Sequence, residues 1–187
     1  MNHTEIMQIT INQRSVLKNP ELIPLLEDII LPDLPFYSDS YPEFLRWING
    51  KVIPGIYSGE RTVIIEKREG RIAGLLILKH MGTEKKLCTL RVRDPYQNKG
   101  LGVRLFENAF QILNTEYPLL SVSDQNLEKF SRIFEHFGFR KEKEYQGLYL
   151  PSITEHAFNG TLISGSNSYF KTDCRVNIPC HRFLVHA

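Results

Sequence analysis

With 187 residues, 42% hydrophobic and 24% charged, the sequence suits one domain of about 150 residues plus extensions, with a core that needs no staples. A net charge of +2 argues against a general nucleic-acid-binding surface, so any basic patch must be local. Cys88, Cys174 and Cys180 cannot all pair, residues 1–5 lack the regions of a signal peptide, and the longest apolar run, residues 75–78, is far below the ~20 residues of a spanning helix, so a reduced, cytoplasmic setting is expected.

The first predicted strand is Ile6–Ile11. Asn19-Pro20 then reads as an N-cap followed by proline at the first helical position, and Leu22, Leu25, Leu26, Ile29 and Ile30 repeat at helical spacing until Pro32. Pro24 lies inside this run and offers a later start. Residues 34–41 form an aromatic and proline-rich connector. A second helix starts near Pro42, carries Phe44, Leu45, Trp47 and Ile48, and stops at Gly50; residues 51–59 are expected to be irregular, with Pro54-Gly55 as a bend.

Three strands are predicted over residues 62–67, 71–79 and 87–92, the second apolar enough to be covered on both faces. A helix follows over residues 100–116, then a short buried strand over 119–122. The next helix begins at Asp124, carries Leu127, Phe130, Ile133, Phe134 and Phe137, and closes at Gly138, with Phe139 packing back on its last turn. Residues 139–145 and, more weakly, 153–159 complete the strands. The order implies an α/β (α+β) architecture: a mixed, mostly antiparallel sheet of six or seven strands flanked by about four helices, with the 119–122 strand parallel to 87–92. Residues 1–162 read as the domain and 163–187 as an extension beginning with the linker-like Ser164-Gly165-Ser166-Asn167-Ser168.

Between the strand at 87–92 and the following helix stands Gln97-Asn98-Lys99-Gly100-Leu101-Gly102. A glycine-bearing loop at a helix N-terminus presents unpaired N–H groups and about half a positive charge, the natural seat of an anion and most often a phosphate. Gly102 is followed by Val103-Arg104 where a P-loop carries Lys-Ser/Thr, so a nucleotide triphosphate is not the expected ligand.

Three features together resemble the GNAT N-acetyltransferase superfamily: the 97–102 loop, the helix ending Phe134-Glu135-His136-Phe137-Gly138-Phe139, and the order of elements over residues 6–162. The resemblance implies a GNAT fold with splayed central parallel strands, and acyl-CoA, acetyl-CoA in the first instance, as co-substrate. Gln97, Asn98, Lys99, Gly100, Leu101, Gly102 and Val103 would hold its pyrophosphate, and the backbone of Leu90 and Val92 its pantetheine arm. Asn126 and Phe134 would stand near the cofactor on the later helix.

The implied reaction is transfer of an acetyl or short acyl group to a primary amine by direct attack in a ternary complex. An alkyl amine has a pKa near ~10.4 and must lose a proton first. Glu84 occupies a face where the family often places a base, with Glu66 and Asp94 as further candidates; the plainer reading of Glu84 is a solvated residue beside a turn. Many relatives protonate the leaving thiolate with a tyrosine where this chain has Phe134, which leaves Ser123, Ser131, Tyr145 or Tyr149 to serve. It also motivates a second reading, a catalytically degenerate domain that binds acyl-CoA as a sensor or structural module.

The acceptor is expected over the first two helices, among Phe36, Tyr37, Tyr41, Trp47 and Tyr57, with Arg91 and Arg93 able to attract an acidic substrate or the cofactor phosphates. Cys174, Cys180, His181 and His186 lack the short paired spacing of a zinc site, and no metal is expected. Neither a membrane nor general nucleic-acid binding is indicated; the assembly is a monomer or homodimer.

Overall fold

The computed structural model describes residues 5–39 and 41–162. Strand β1 (Ile6–Ile11) is followed by a short helix, α1 (Gln13–Lys18), that the apolar pattern does not announce. A reciprocal cap starts it: Asn12 Oδ1 accepts from the Ser15 amide (3.0 Å) and Ser15 Oγ accepts from the Asn12 amide (2.9 Å). Serine stands where this motif usually carries Glu or Gln, which hides it in the sequence. Helix α2 (Leu22–Ile30) admits Pro24 at its third position, where an N–H has no intrahelical acceptor in any case. A 3-10 turn (Leu31–Asp33) and α3 (Leu34–Ser38) complete this arm.

The segment expected to be irregular over residues 51–59 is helical. Helix α4 (Phe44–Trp47) runs into a π turn (Ile48–Val52) and on into α5 (Ile53–Ser58). The wide turn lets the Ile53 amide reach back to the Ile48 carbonyl, and Pro54, which has no N–H to give, follows at the second position of α5. Gly55 is no bend either. A Cβ there would lie 2.7 Å from Arg61 Cδ, so the missing side chain is the space through which the Arg61 stem passes.

Strands β2 (Arg61–Arg68), β3 (Arg71–Met81) and β4 (Glu84–Val92) extend β1 into an antiparallel sheet ordered β1-β2-β3-β4. One face carries Val63, Ile65, Leu75 and Ile77 against α1, α2 and α5. The other carries Ile64, Leu76, Leu78 and Leu87 against Leu101, Leu105, Phe106 and Ala109 of α6 (Leu101–Leu113) and Phe134 of α7 (Asp124–Phe137). Covering on both faces explains the unbroken apolar run of β3. Glu66, 1% exposed, is gripped by Arg68 (3.0 Å) and by Arg104 of α6, which pins that helix to β2.

A second antiparallel sheet, ordered β5-β7-β6, contains β5 (Leu120–Ser123), β6 (Lys141–Gln146) and β7 (Thr154–Phe158). The parallel pairing expected between β4 and β5 shrinks to one bridge, Lys86 with Leu119. It is made by Leu87 N–H on the Leu119 carbonyl and Leu119 N–H on the Lys85 carbonyl, each 2.9 Å. Beyond this point the strands diverge, and a wedge opens between the sheets. Gly138 closes α7 at φ 66°, and the Phe139 amide donates to the Phe134 carbonyl at 2.9 Å.

Candidate acyl-CoA and acceptor site

The loop after β4 is shaped by two residues in the left-handed region, Asn98 (φ 56°) and Gly100 (φ 77°). Asparagine tolerates that conformation and glycine adopts it without strain. The side chains of Gln97 and Lys99 turn back on the chain, donating to the Val92 carbonyl (3.0 Å) and the Pro95 carbonyl (2.9 Å). The amides of residues 98–103 have no acceptor among the described residues, and the first helical bond is Arg104 N–H on the Gly100 carbonyl at 3.2 Å. This row of unpaired donors at the N-terminus of α6 is a cradle for an anion with several oxygens. A Cβ on Gly100 would meet nothing within 4 Å, and one on Gly102 only Ile133 Cδ1 at 3.6 Å. The protein itself therefore leaves both glycines free to be approached from outside.

The wedge supplies the second part. Arg93 N–H donates to the Ala73 carbonyl on β3 (3.0 Å), so alternation turns the N–H and C=O groups of Val92 and Leu90 to the open edge of β4. A bulge at Cys88, between the pairs Ile77 with Thr89 and Leu78 with Leu87, switches this parity and lets Leu87 meet β5 while Leu90 and Val92 face the gap. The gap belongs to a cavity of about 1180 Å³ that runs from Asn98, Gly100 and Gly102 past Leu90 and Val92 to Tyr41, Trp47 and Arg61. Single small-molecule sites span ~300–1,000 Å³, so there is room for two ligands end to end.

At the far end sits a group the sequence does not reveal. Glu155 of β7 is 1% exposed, and Tyr41 donates its hydroxyl to Glu155 Oε1 at 2.8 Å; Oε2 is buried without a partner among the described residues. Burial pushes the Glu155 carboxyl up to about 7, against the opposing pull of the Tyr41 and Ser121 hydroxyls and of Lys86. Tyr41 and Tyr149 meet edge to face at 5.1 Å and both line the cavity. Burial, with the nearby Glu155 charge, holds both phenols well above their usual range, so both stay protonated. Glu155 lies outside every recognisable motif; the alternation of Ser121 with Ser123 on one face of β5, opposite Ala157 and Glu155, is the only trace of a polar layer there.

The other expected residues separate into groups. Glu84 lines the cavity, with its carboxylate taken by Lys79. Asp94 also lines it and accepts from Gln97 Nε2 at 2.8 Å, whereas Glu66 is enclosed in its arginine pair. Ser123 is fully buried, its hydroxyl accepting from Asn126 Nδ2 at 3.1 Å. Ser131 donates to the Glu128 carbonyl and Tyr145 to the Leu162 carbonyl; of the four hydroxyls expected near the thiol, Tyr149 alone lines the cavity. Asn126 and Phe134 line it too, Phe134 with its ring 4.5 Å from that of Phe158. Leu101 is buried in the α6 core, so its contribution to the cradle is its amide.

Phe36, Tyr37, Tyr41 and Trp47 line the same cavity, while Tyr57 is exposed elsewhere. Arg91 and Arg93 converge on one carboxylate, Asp33, at 3.3 and 3.1 Å, and Arg91 stacks over Phe36 at 3.4 Å; they tie the α2–α3 turn to the sheet. Among the described residues no group of three His, Cys, Asp or Glu side chains could hold a metal, and no helix is long and apolar enough to cross a membrane. Cys174, Cys180, His181 and His186, with the rest of 163–187, lie outside the described residues.

The sequence matches the family profile "Acetyltransferase (GNAT) domain" over residues 43–147, more than half of the chain, and the protein belongs to that family. No curated protein matches it significantly. Among solved structures, a GNAT-family protein of Desulfovibrio desulfuricans shares 13% identity over 82% of this chain and 97% of its own, with a TM-score of 0.59, which supports a common fold. Nourseothricin acetyltransferase shares 14% identity at a TM-score of 0.48 over 54% of this chain; the chain spans 65% of that protein's length. An acetyltransferase of Bacillus subtilis in complex with CoA shares 14% over 61% of this chain and 86% of its own, with a TM-score of 0.47.

Proposed function

We propose that the chain is an N-acyltransferase that moves an acetyl or short acyl group from acyl-CoA to a primary amine within a ternary complex. The observation that carries this reading is the continuity of one cavity from the unpaired amides of residues 98–103, along the open edge of β4, to the Tyr41–Glu155 pair. The amides fit a pyrophosphate, and the N–H and C=O of Leu90 with the N–H of Val92, whose carbonyl already takes the Gln97 side chain, fit an amide-bearing arm laid along them as an added strand. When bound there, acyl-CoA supplies a thioester as the acyl donor.

Glu155 is assigned the proton-accepting role in preference to Glu84, whose carboxylate Lys79 already occupies. As the amine attacks, its proton passes to the Tyr41 oxygen while the Tyr41 proton passes to Glu155, so that no tyrosinate has to form beforehand. The tetrahedral intermediate then expels the thiolate, and Tyr149, kept protonated by burial, gives it a proton. A carboxylate titrating at about 7 is matched to this task near neutral pH. A domain that binds acyl-CoA without turnover is the reading motivated by Phe134; the buried carboxylate behind a cavity-facing hydroxyl supports turnover. Cys88 carries no disulfide among the described residues, which is consistent with the reduced cytoplasmic setting of the same proposal.

The test is calorimetric binding of acetyl-CoA combined with release of free thiol over a broad amine panel. Binding with thiol release from at least one amine is expected. Binding with no release from any amine favours the non-catalytic domain, and absence of binding sinks both.

A further inference from the structure

Arg61 is an expensive residue to bury, and its surroundings do not neutralise it. It is 8% exposed. Its stem threads the gap left by Gly55, its Cζ stands 5.4 Å from the Trp47 ring, and one terminal nitrogen donates to Cys88 Sγ at 3.4 Å. No carboxylate lies within 4.0 Å of the guanidinium among the described residues. Its two remaining nitrogens are absent from the closed-off polar atoms and carry no other bond, so they open onto the cavity that Arg61 lines. Asp39 and Glu60 line the same cavity without pairing with it.

Position excludes the cofactor's phosphates as the missing partner. Arg61 pairs across the sheet with Lys79, and Lys79 with Lys86, so these three cations form a row on one face at the end of β4 remote from the loop. From Lys86 to Val92 is six residues of strand, about 20 Å at ~3.3 Å per residue. Within the row Lys79 is matched by Glu84, and Lys86 acts on Glu155; Arg61 is left for something that enters the cavity.

We propose that the acceptor is an amine that also carries an oxyanion, a carboxylate or phosphate, which the Arg61 guanidinium takes in a two-pronged hydrogen bond at the end of the chamber remote from the loop. This rests on the acyl-transfer reading and adds the acceptor's class to it. The planar fork suits a carboxylate or phosphate edge, the Trp47 ring lies 5.4 Å from the guanidinium carbon, and the Tyr41–Glu155 pair is left for the amine. Polycationic amines are disfavoured by the same row of charges.

The full-length chain, saturated with CoA, is titrated with matched pairs while the emission of Trp47, the single tryptophan, is followed. The pairs are β-alanine against β-alaninamide, glycylglutamate against glycylglutamine, and phosphoethanolamine against ethanolamine. At least one anionic member is expected to bind about tenfold or more tightly than its neutral partner, and the pair that responds identifies the oxyanion. In Arg61→Gln this preference should fall to within about twofold, with Arg61→Lys retaining part of it. Gly55→Ala, which keeps the guanidinium but drives a methyl against its stem, should weaken the preference too and serves if Arg61→Gln does not fold. Equal binding of charged and neutral members by the unsubstituted protein, or a preference that survives Arg61→Gln and Gly55→Ala, overturns the proposal. Thiol release with acetyl-CoA separates the two readings. Turnover of neutral or cationic amines alone defeats the anion site and leaves acyl transfer standing; anion binding without turnover of any amine defeats acyl transfer alone.

Discussion

At the loop end of the cavity the groups that face a ligand are main-chain amides, those of residues 98–103, set out by the local conformation of one short segment. At the far end they are side chains delivered by separate elements: Tyr41 from the connector before α4, Arg61 from β2, Cys88 from β4 and Ser121 from β5, with Glu155 of β7 behind the Tyr41 hydroxyl. A site made of backbone is sensitive to whatever disturbs φ and ψ and indifferent to most side chains around it. A site made of buried side chains is sensitive to single functional groups, because each was desolvated on folding and its partners have no water to fall back on. Substitutions should therefore act differently at the two ends, on affinity at one and on rate and its pH dependence at the other.

The largest effect is expected at the loop. Gly100→Val forces a β-branched residue to φ 77° and sets methyl groups in the space that a phosphate would enter. Strain and lost amide contacts together should weaken acetyl-CoA binding by about a thousandfold or more, roughly 4 kcal/mol, while the fold survives, since nothing in the protein lies within 4 Å of the new Cβ. Calorimetry on the variant measures this, and unchanged affinity would sink the loop assignment.

Next comes Glu155→Gln, which keeps shape and removes the proton acceptor. A loss of about a hundredfold in kcat is expected with little change in acetyl-CoA affinity. The unsubstituted enzyme should gain rate as pH rises through about 7, where the Glu155 carboxyl ionises, and the variant should lose that limb. Stability runs the other way. The folded carboxyl binds its proton more tightly than the unfolded one, so between about 4.5 and about 7 the native state holds the extra proton and stability falls as pH rises. Ionising the buried group costs on the order of 3 kcal/mol, and Glu155→Gln should flatten this slope in urea titrations at pH 5 and 8. Glu84→Gln is the control, expected to change kcat by about threefold or less because Lys79 already holds that carboxylate.

The same contrast decides what could be read from the chain alone. The loop was legible because Gln97-Asn98-Lys99-Gly100-Leu101-Gly102 carries its geometry in adjacent letters, and the apolar periods of α6 and α7 state directly which faces are buried. The helical path through Pro54 and Gly55 was not, since those residues signal a bend unless one knows that a π turn precedes them and that Arg61 passes beside the glycine. Glu155 was invisible for a related reason. Its environment comes from Tyr41, 114 positions away in sequence, and from strands whose pairing no local pattern specifies. Glu66 and Glu84 looked as available as Glu155 does; only the partners Arg104 and Lys79 distinguish them.

The smallest expected effect concerns the position where this chain departs from the usual tyrosine of its family. Phe134 lines the cavity with one edge and otherwise lies among Phe106, Phe130, Phe139 and Phe158, at ring distances of 6.3, 5.6, 5.6 and 4.5 Å. In Phe134→Tyr the added hydroxyl either reaches the cavity or is buried unpaired among these rings, the second costing about 1–3 kcal/mol of stability. If Tyr149 supplies the thiol's proton, a second phenol adds nothing the reaction lacks, and kcat should stay within about threefold. If kcat instead rises tenfold or more, Tyr149 is not doing that work and the missing acid belongs at position 134. Tyr149→Phe, expected to lower kcat by about tenfold, then decides which phenol the thiolate uses, because the Phe134→Tyr change should rescue it only when a hydroxyl at 134 can reach the sulfur.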